Sequence, residues 1–234
     1  MRGMSIFLVS AVLARADTSS GPPFPGRVLA ADGSCPPTAE SIAAIQSHYD
    51  SIMDLRAGFE QRSRSVVLAG SPRAPEELSR GEVIFAKPGR MRWEYREPEA
   101  SFVISDGSSL WVYDVGARQA TRVALNQGSL AGAALQLLFG EVRIGKVFES
   151  TTTSCGPEGI VIELRPKEAA SYERLSLVAQ PGTGLVTSTS IVDLFGNRTS
   201  IRFSELEFDR SPSPDVFEFT RPEGVEVLDY SDGP

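Results

Sequence analysis

The chain has 234 residues, 41% of them hydrophobic and 23% charged, a balance that excludes global disorder and fits one good-sized core or two small ones. Its formal charge of −7 excludes the broad basic footprint a phosphate backbone requires, so no nucleic acid is expected as a partner. No apolar run approaches the roughly eighteen residues of a membrane-spanning helix.

The first sixteen residues read as an export signal cleaved near Ala16. Arg2 is the positive n-region, residues 6–13 (IFLVSAVL) are a short apolar core, and Ala14 and Ala16 place small residues at the cleavage site. The alternative is a short buried segment of the fold. Removing residues 1–16 takes away two arginines and no acid, moving the formal charge from −7 to −9. Cys35 follows Asp32-Gly33-Ser34 rather than the signal core, which argues against lipid anchoring through it. Outside the cytoplasm, Cys35 and Cys155 either pair as a disulfide or stay free thiols; the pattern leaves both open.

Residues 17–37 are crowded with Pro, Gly and Ser and read as a flexible leader, leaving 38–234 as a single domain. The helix that follows has Thr38 as its expected N-cap and Glu40 in its first turn. Ile42, Ile45, Tyr49, Ile52 and Leu55 form one apolar stripe over about four turns.

From Leu55 the period changes to two. Strands are expected from Phe59 towards 66–68, over 81–86 (GEVIFA), and over 90–96, where Met91, Trp93 and Tyr95 alternate with Arg90, Arg92, Glu94 and Arg96. Residues 101–105 and 110–113 flank the hairpin turn Asp106-Gly107 and are apolar on both sides, so both faces of the sheet should be covered there. Residues 128–140 (GSLAGAALQLLFG) break the β pattern and read as a short helix. Strands resume over 148–153, 160–165, 174–179, 185–193, 199–208 and 216–219. The sum is mainly antiparallel: one sheet of about ten strands with a long first helix and a short middle one, a size that tends to curl.

Catalytic signals are missing. His48 is the only histidine and reads as a solvated or capping imidazole; one His without nearby Cys or paired carboxylates makes a poor base or metal ligand. There is no G-x-S-x-G, no phosphate-binding glycine loop and no metal-spaced Cys/His cluster, so no catalytic residue, metal or cofactor is expected. Asp106 and Asp193 start turns and read as structural. The pattern leaves two forms of the curved sheet open: a closed, fully packed barrel, or a barrel left partly open, lined by apolar side chains, lidded by residues 130–139 and holding a lipid.

A family likeness bears on that choice. The order Tyr49…Leu55-x-Ala57-x-Phe59-x-Gln61, then Gly81 through Tyr95 to Pro98, then Val103-Ile104-Ser105-Asp106-Gly107-x-x-Leu110-Trp111-x-Tyr113 resembles the periplasmic outer-membrane lipoprotein carrier family (LolA). Leu137-Leu138-x-Gly140, Leu164-Arg165-Pro166-Lys167, Asp193-x-x-Gly196-Asn197-Arg198-Thr199 and Phe217-Glu218-Phe219-x-x-Pro222-x-Gly224-Val225-x-Val227 agree with it. The resemblance implies an α+β, mainly antiparallel half-barrel of about ten or eleven strands. An N-terminal helix and a short lid would cover a hydrophobic cavity.

It also implies a function without catalysis: a monomeric periplasmic carrier that takes acylated lipoproteins from an inner-membrane ABC exporter and passes them to an outer-membrane acceptor. Lys87 stands where the family has an arginine that tethers the closed lid. Met91 stands at an apolar position tied to docking and cargo. The lid match is 133–139, with Leu135 and Leu138 facing the cavity and Ala134 replacing a common proline. The expected lipid-facing set is Lys87, Met91, Trp93, Phe102, Ile104, Leu135, Leu138 and Phe139. Both cysteines lie outside the family pattern. The alternatives are a carrier of another lipid, or a lipid- or lipoprotein-sensing regulatory module of the same half-barrel, which normally attaches a second domain. A membrane-anchored acceptor would need a lipobox cysteine.

Overall fold

A computed structural model describes residues 35–66, 76–125 and 143–231. The expected export signal, most of the leader, and the expected lid with Leu135, Leu138 and Phe139 lie outside the described residues. The described chain begins with α1 (Thr38–Ser51) and continues through β1 (Asp54–Arg64), β2 (Glu77–Ala86), β3 (Arg90–Glu97), β4 (Ser101–Asp106), β5 (Ser109–Asp114) and β6 (Gln119–Ala124). A single helical turn, α2 (Ile144–Val147), leads into β7 (Phe148–Gly156), β8 (Gly159–Pro166), β9 (Tyr172–Ala179), β10 (Val186–Asp193), β11 (Arg198–Phe208) and finally β12 (Glu226–Tyr230).

All twelve strands form one sheet in the order β12-β6-β5-β4-β3-β2-β1-β11-β10-β9-β8-β7. Strands β7 and β12 are its two edges and do not pair with each other, so the sheet stays unclosed. Every neighbouring pair is antiparallel except β12 with β6, where Glu226–Tyr230 runs parallel to 119–123.

The half-barrel expectation holds, with two strands the alternation did not mark. β6 (QATRVA) carries a single large apolar side chain, and β12 (EVLDY) is only five residues long with Val227 and Leu228 adjacent, so neither shows a clear period of two. Residues 216–219 are not a strand. A 3-10 turn occupies Pro214–Phe217, with Pro214 at its start; the Val-Phe-x-Phe apolarity that reads as a strand instead packs a short strap onto the sheet.

Register separates the two faces. Leu55, Ala57, Phe59 and Gln61 in β1 stand opposite Phe85, Val83, Gly81 and Ser79 in β2. Phe85, Val83 and Gly81 stand opposite Met91, Trp93 and Tyr95 in β3. These line the concave face. On the other half, Ile160, Ile162 and Leu164 align with Ala179, Leu177 and Leu175, and α1 covers them with Ile45 and Tyr49, both essentially buried.

The convex face is laced with arginine–glutamate pairs such as Arg56–Glu82 at 2.9 Å and Arg96–Glu94 at 2.9 Å. Such exposed pairs add little stability but keep that side wet.

α1 starts differently from expectation. Pro37 occupies the cap position without a side-chain bond, and the Thr38 hydroxyl turns to the edge strand. There it donates to Thr152 Oγ1 at 2.9 Å and accepts the Thr152 N–H at 3.0 Å. Cys35 and Cys155 are joined by a disulfide that spans 120 residues of sequence. Helix and edge strand are thereby tied twice.

At the other end, Tyr49 Oη accepts the Val186 N–H at 3.2 Å. Gly184 passes so close that a Cβ there would stand 2.3 Å from the Ala44 carbonyl.

Candidate functional site: the apolar concave face

The site is built by the alternation of β1 to β5. Phe59 meets Trp93 with ring centroids 4.8 Å apart and Tyr95 at 5.1 Å, and Phe85 meets Trp93 at 5.8 Å. Val83, Met91, Val103 and Leu110 join them in the same core cluster. The face ends in a polar rim where Tyr95 Oη donates to Gln61 Oε1 at 3.0 Å; burial holds the Tyr95 phenol far above its usual range, so it stays a neutral donor. The Trp93 indole N–H is buried without a partner. The interior is therefore soft and uncharged, of a chemistry that suits alkyl chains and nothing ionic, and in this conformation its side chains are packed together and buried with those of α1 and the other half of the sheet.

Lys87 sits where β2 turns into β3, and its Nζ donates to the Tyr49 carbonyl and, at 3.4 Å, to that of Asp50. It holds the last turn of α1, where helix carbonyls lack partners and a cation is favoured. Arg143 pairs with Asp50 at 2.7 Å, and the Ile144 N–H donates to Gln46 Oε1 at 3.1 Å. The chain entering α2 is thus fastened to the same helix end.

Of the expected lipid-facing residues, Met91 and Trp93 lie in the core cluster of the concave face, while Lys87 stands at the end of β2 with its ammonium on the last turn of α1. Phe102 and Ile104 do not join them. They alternate with Val103, which pairs with Trp93, so they point to the convex side. Phe102 lies there under the Arg92 guanidinium, 4.9 Å from its ring, and stacks on Tyr113. Sequence alone cannot choose between the faces of a strand that is apolar on both. The missing information is the strap of residues 209–225, which returns over β3 to β6, buries Phe217 and stacks Phe219 on Trp111 at 4.7 Å.

His48 is half-buried, between the solvated reading and a core position. Its ring packs edge-on against Tyr49 and Phe208, and Nε2 is buried without a partner. Desolvation lowers its pKa below 6.5. Asp106 serves its turn, accepting from Ser108 N, Ser108 Oγ and Ser109 N, each at 2.7 Å. Among the described residues, no group of His, Cys, Asp and Glu could hold a metal, and no helix is long and apolar enough to cross a membrane.

The family model described as "Outer membrane lipoprotein carrier protein LolA" matches residues 52–220. The chain belongs to that family. It is 34% identical to the outer-membrane lipoprotein carrier protein of Alkalilimnicola ehrlichii over 83% of this chain and 86% of that one. It is 28% identical to the protein of the same name from Nitrosomonas europaea over 82% of this chain and 91% of that one. A solved uncharacterised conserved protein from Thermus thermophilus shares the fold at a TM-score of 0.50 and 13% identity, over 82% of this chain and 98% of that one. The LolA match spans β1 to the strap, and so takes in the concave face and Lys87.

Proposed function

We propose that this protein is a periplasmic carrier that shelters the acyl chains of lipoproteins between the inner and outer membranes. It would load from an inner-membrane ABC exporter, unload to an acceptor at the outer membrane where one exists, and work by non-covalent sequestration, without catalysis or a cofactor. The observation that carries this reading is the continuous uncharged concave face of an unclosed sheet, from Phe59 through Met91 and Trp93 to Leu110, in a chain of the lipoprotein carrier family.

Magnitudes support the need. At ~0.8 kcal/mol per methylene, three chains of about sixteen carbons cost on the order of 35 kcal/mol to expose to water. Spontaneous crossing is excluded on that scale. Met91 and Trp93 are 3% and 6% exposed, so loading requires that the face be uncovered, and the Lys87 contact to α1 is a bond such an opening would strain or break. The test is release of an acylated lipoprotein from inner-membrane vesicles by the purified exported chain. Soluble, stoichiometric complex is expected; a lipoprotein that stays in the membrane pellet at every carrier concentration rejects the reading.

A further inference from the structure

We propose that the β10–β11 turn is a membrane-touching tip that seats on an anionic bilayer surface. Leu194 and Phe195 form its apex and are 65% and 78% exposed. Val66, 46% exposed at the end of β1, lies alongside; a Cβ on Gly196 would stand 3.1 Å from its Cγ2.

The turn is held stiff from below. The buried Asp193 carboxylate accepts the N–H groups of Phe195 at 2.9 Å and Asn197 at 2.8 Å through Oδ1, and the Asn197 amide at 2.8 Å through Oδ2. Asn197 Oδ1 in turn accepts Ser65 Oγ and Val66 N, tying the turn to β1. Polar residues would serve such a turn without exposing apolar surface. A preorganised turn that presents Leu and Phe outward is an interaction feature.

Charge identifies the occupant. Arg64 and Arg198 stand directly opposite each other in the β1–β11 ladder, both exposed, and neither guanidinium has an ion pair, hydrogen bond or ring contact to a described residue. Like charges in that position oppose strand pairing. Of the neighbouring acids, Asp193 is engaged in the turn, Glu76 with Arg62, and Glu173 with Arg165 and Arg174, while Glu77 stands opposite Ser63 and so on the other face of the sheet from Arg64.

A layer of anionic headgroups supplies the missing counter-charge while the two apolar side chains enter the acyl boundary, the pairing of aromatic and basic groups that suits a bilayer interface. The tip is convex, which fits a deformable lipid surface. It lies at the end of β1 opposite Lys87. Two apolar groups and two cations give a weak, reversible contact.

The test is flotation of the cargo-free exported chain with vesicles of equal parts phosphatidylcholine and phosphatidylglycerol, against phosphatidylcholine alone. The chain should float with the anionic vesicles. Leu194→Ser with Phe195→Ser should lower the bound fraction by at least roughly tenfold, and Arg64→Gln with Arg198→Gln should bring it to the phosphatidylcholine level. Met53→Ser, at an exposed apolar residue near the Lys87 end, should change nothing. All these positions are exposed, so folding is preserved, with near-UV circular dichroism as the check. Failure of the unaltered chain to float with anionic vesicles overturns the proposal. So does a tip variant that floats as well as the unaltered chain; if that variant also fails in lipoprotein transfer, the tip is a protein contact. Because the chain is cargo-free, none of these outcomes bears on acyl sheltering.

Discussion

At Lys87 a single ammonium reaches two carbonyls at the end of α1, those of Tyr49 and Asp50. Removing it with Lys87→Ala leaves half-covered helix carbonyls to water and should lower stability by about 1–2 kcal/mol in urea titration. Lys87→Arg should match or exceed the native chain, since a planar fork can serve both carbonyls at once.

His48 sets a pH dependence of its own. Burial against Tyr49 and Phe208 lowers its pKa from 6.5, so the unfolded chain binds this proton more readily than the folded one. Its contribution is complete above about pH 7 and is lost as the pH falls through 6.5 towards the folded value. The urea midpoint should therefore decline across that window, and His48→Gln should flatten it. The carboxylates Glu60 and Asp106, whose pKa values are lowered despite partial burial because Arg62, Arg80 and turn N–H groups hold the charged forms, act only at more acid pH.

Gly81 is a packing residue. A Cβ there would stand 1.8 Å from the Glu94 carbonyl oxygen and 2.9 Å from the Phe59 ring. Gly81→Ala should cost at least about 2 kcal/mol, read from the thermal midpoint.

Among the elements, α1 is tied to the rest of the chain at both ends. Its entry is bound by the disulfide and by Thr38 to β7, its exit by Lys87, Arg143 and the Tyr49 hydroxyl to three other parts of the chain. Reduction of the disulfide, or Cys155→Ser, should lower stability by roughly 2–4 kcal/mol. Hydrogen exchange should quicken first over α1 and β7, because the loop released is the one that pins them together.

How far such elements could be read from sequence depended on their periods. The Met91-Trp93-Tyr95 alternation marked β3 and its inward side, and the Ile45–Tyr49 stripe marked the buried side of α1, although the helix stops at Ser51 and Leu55 already belongs to β1. β6 and β12 escaped because each is a short edge-region strand without a clear two-residue period. Their pairing is settled by long-range register and by Arg122–Asp229 at 3.4 Å rather than by local pattern. Phe102 and Ile104 were legible as buried but not as to side. Burial on the convex face depends on a strap more than a hundred residues further along the chain, turned across the sheet where Asp54 receives the N–H groups of Arg210 and Ser211.

The whole molecule is therefore a sheet with an apolar concave face and an otherwise charged convex face that carries a second apolar area under the strap, and that division can be measured. The strap side is closed by the chain itself: Phe217 is 1% exposed and Phe219 stacks on Trp111. The concave side is where Met91 meets Phe85 in register. Phe219→Ala removes a stacked ring from the strap and should lower stability by up to about 3 kcal/mol, while the dissociation constant for a fluorescent fatty-acid probe stays unchanged. Met91→Ala removes soft surface from the concave face. Its stability loss should be comparable, about 2–3 kcal/mol, but probe affinity should shift severalfold, because in the proposed carrier an alkyl chain would lie against that same surface. Measuring both quantities on both variants separates general loosening of the fold from damage to a binding surface. If Phe219→Ala altered affinity and Met91→Ala did not, the lipid would have to lie beneath the strap, with Phe102 and Ile104 rather than Trp93 as its floor.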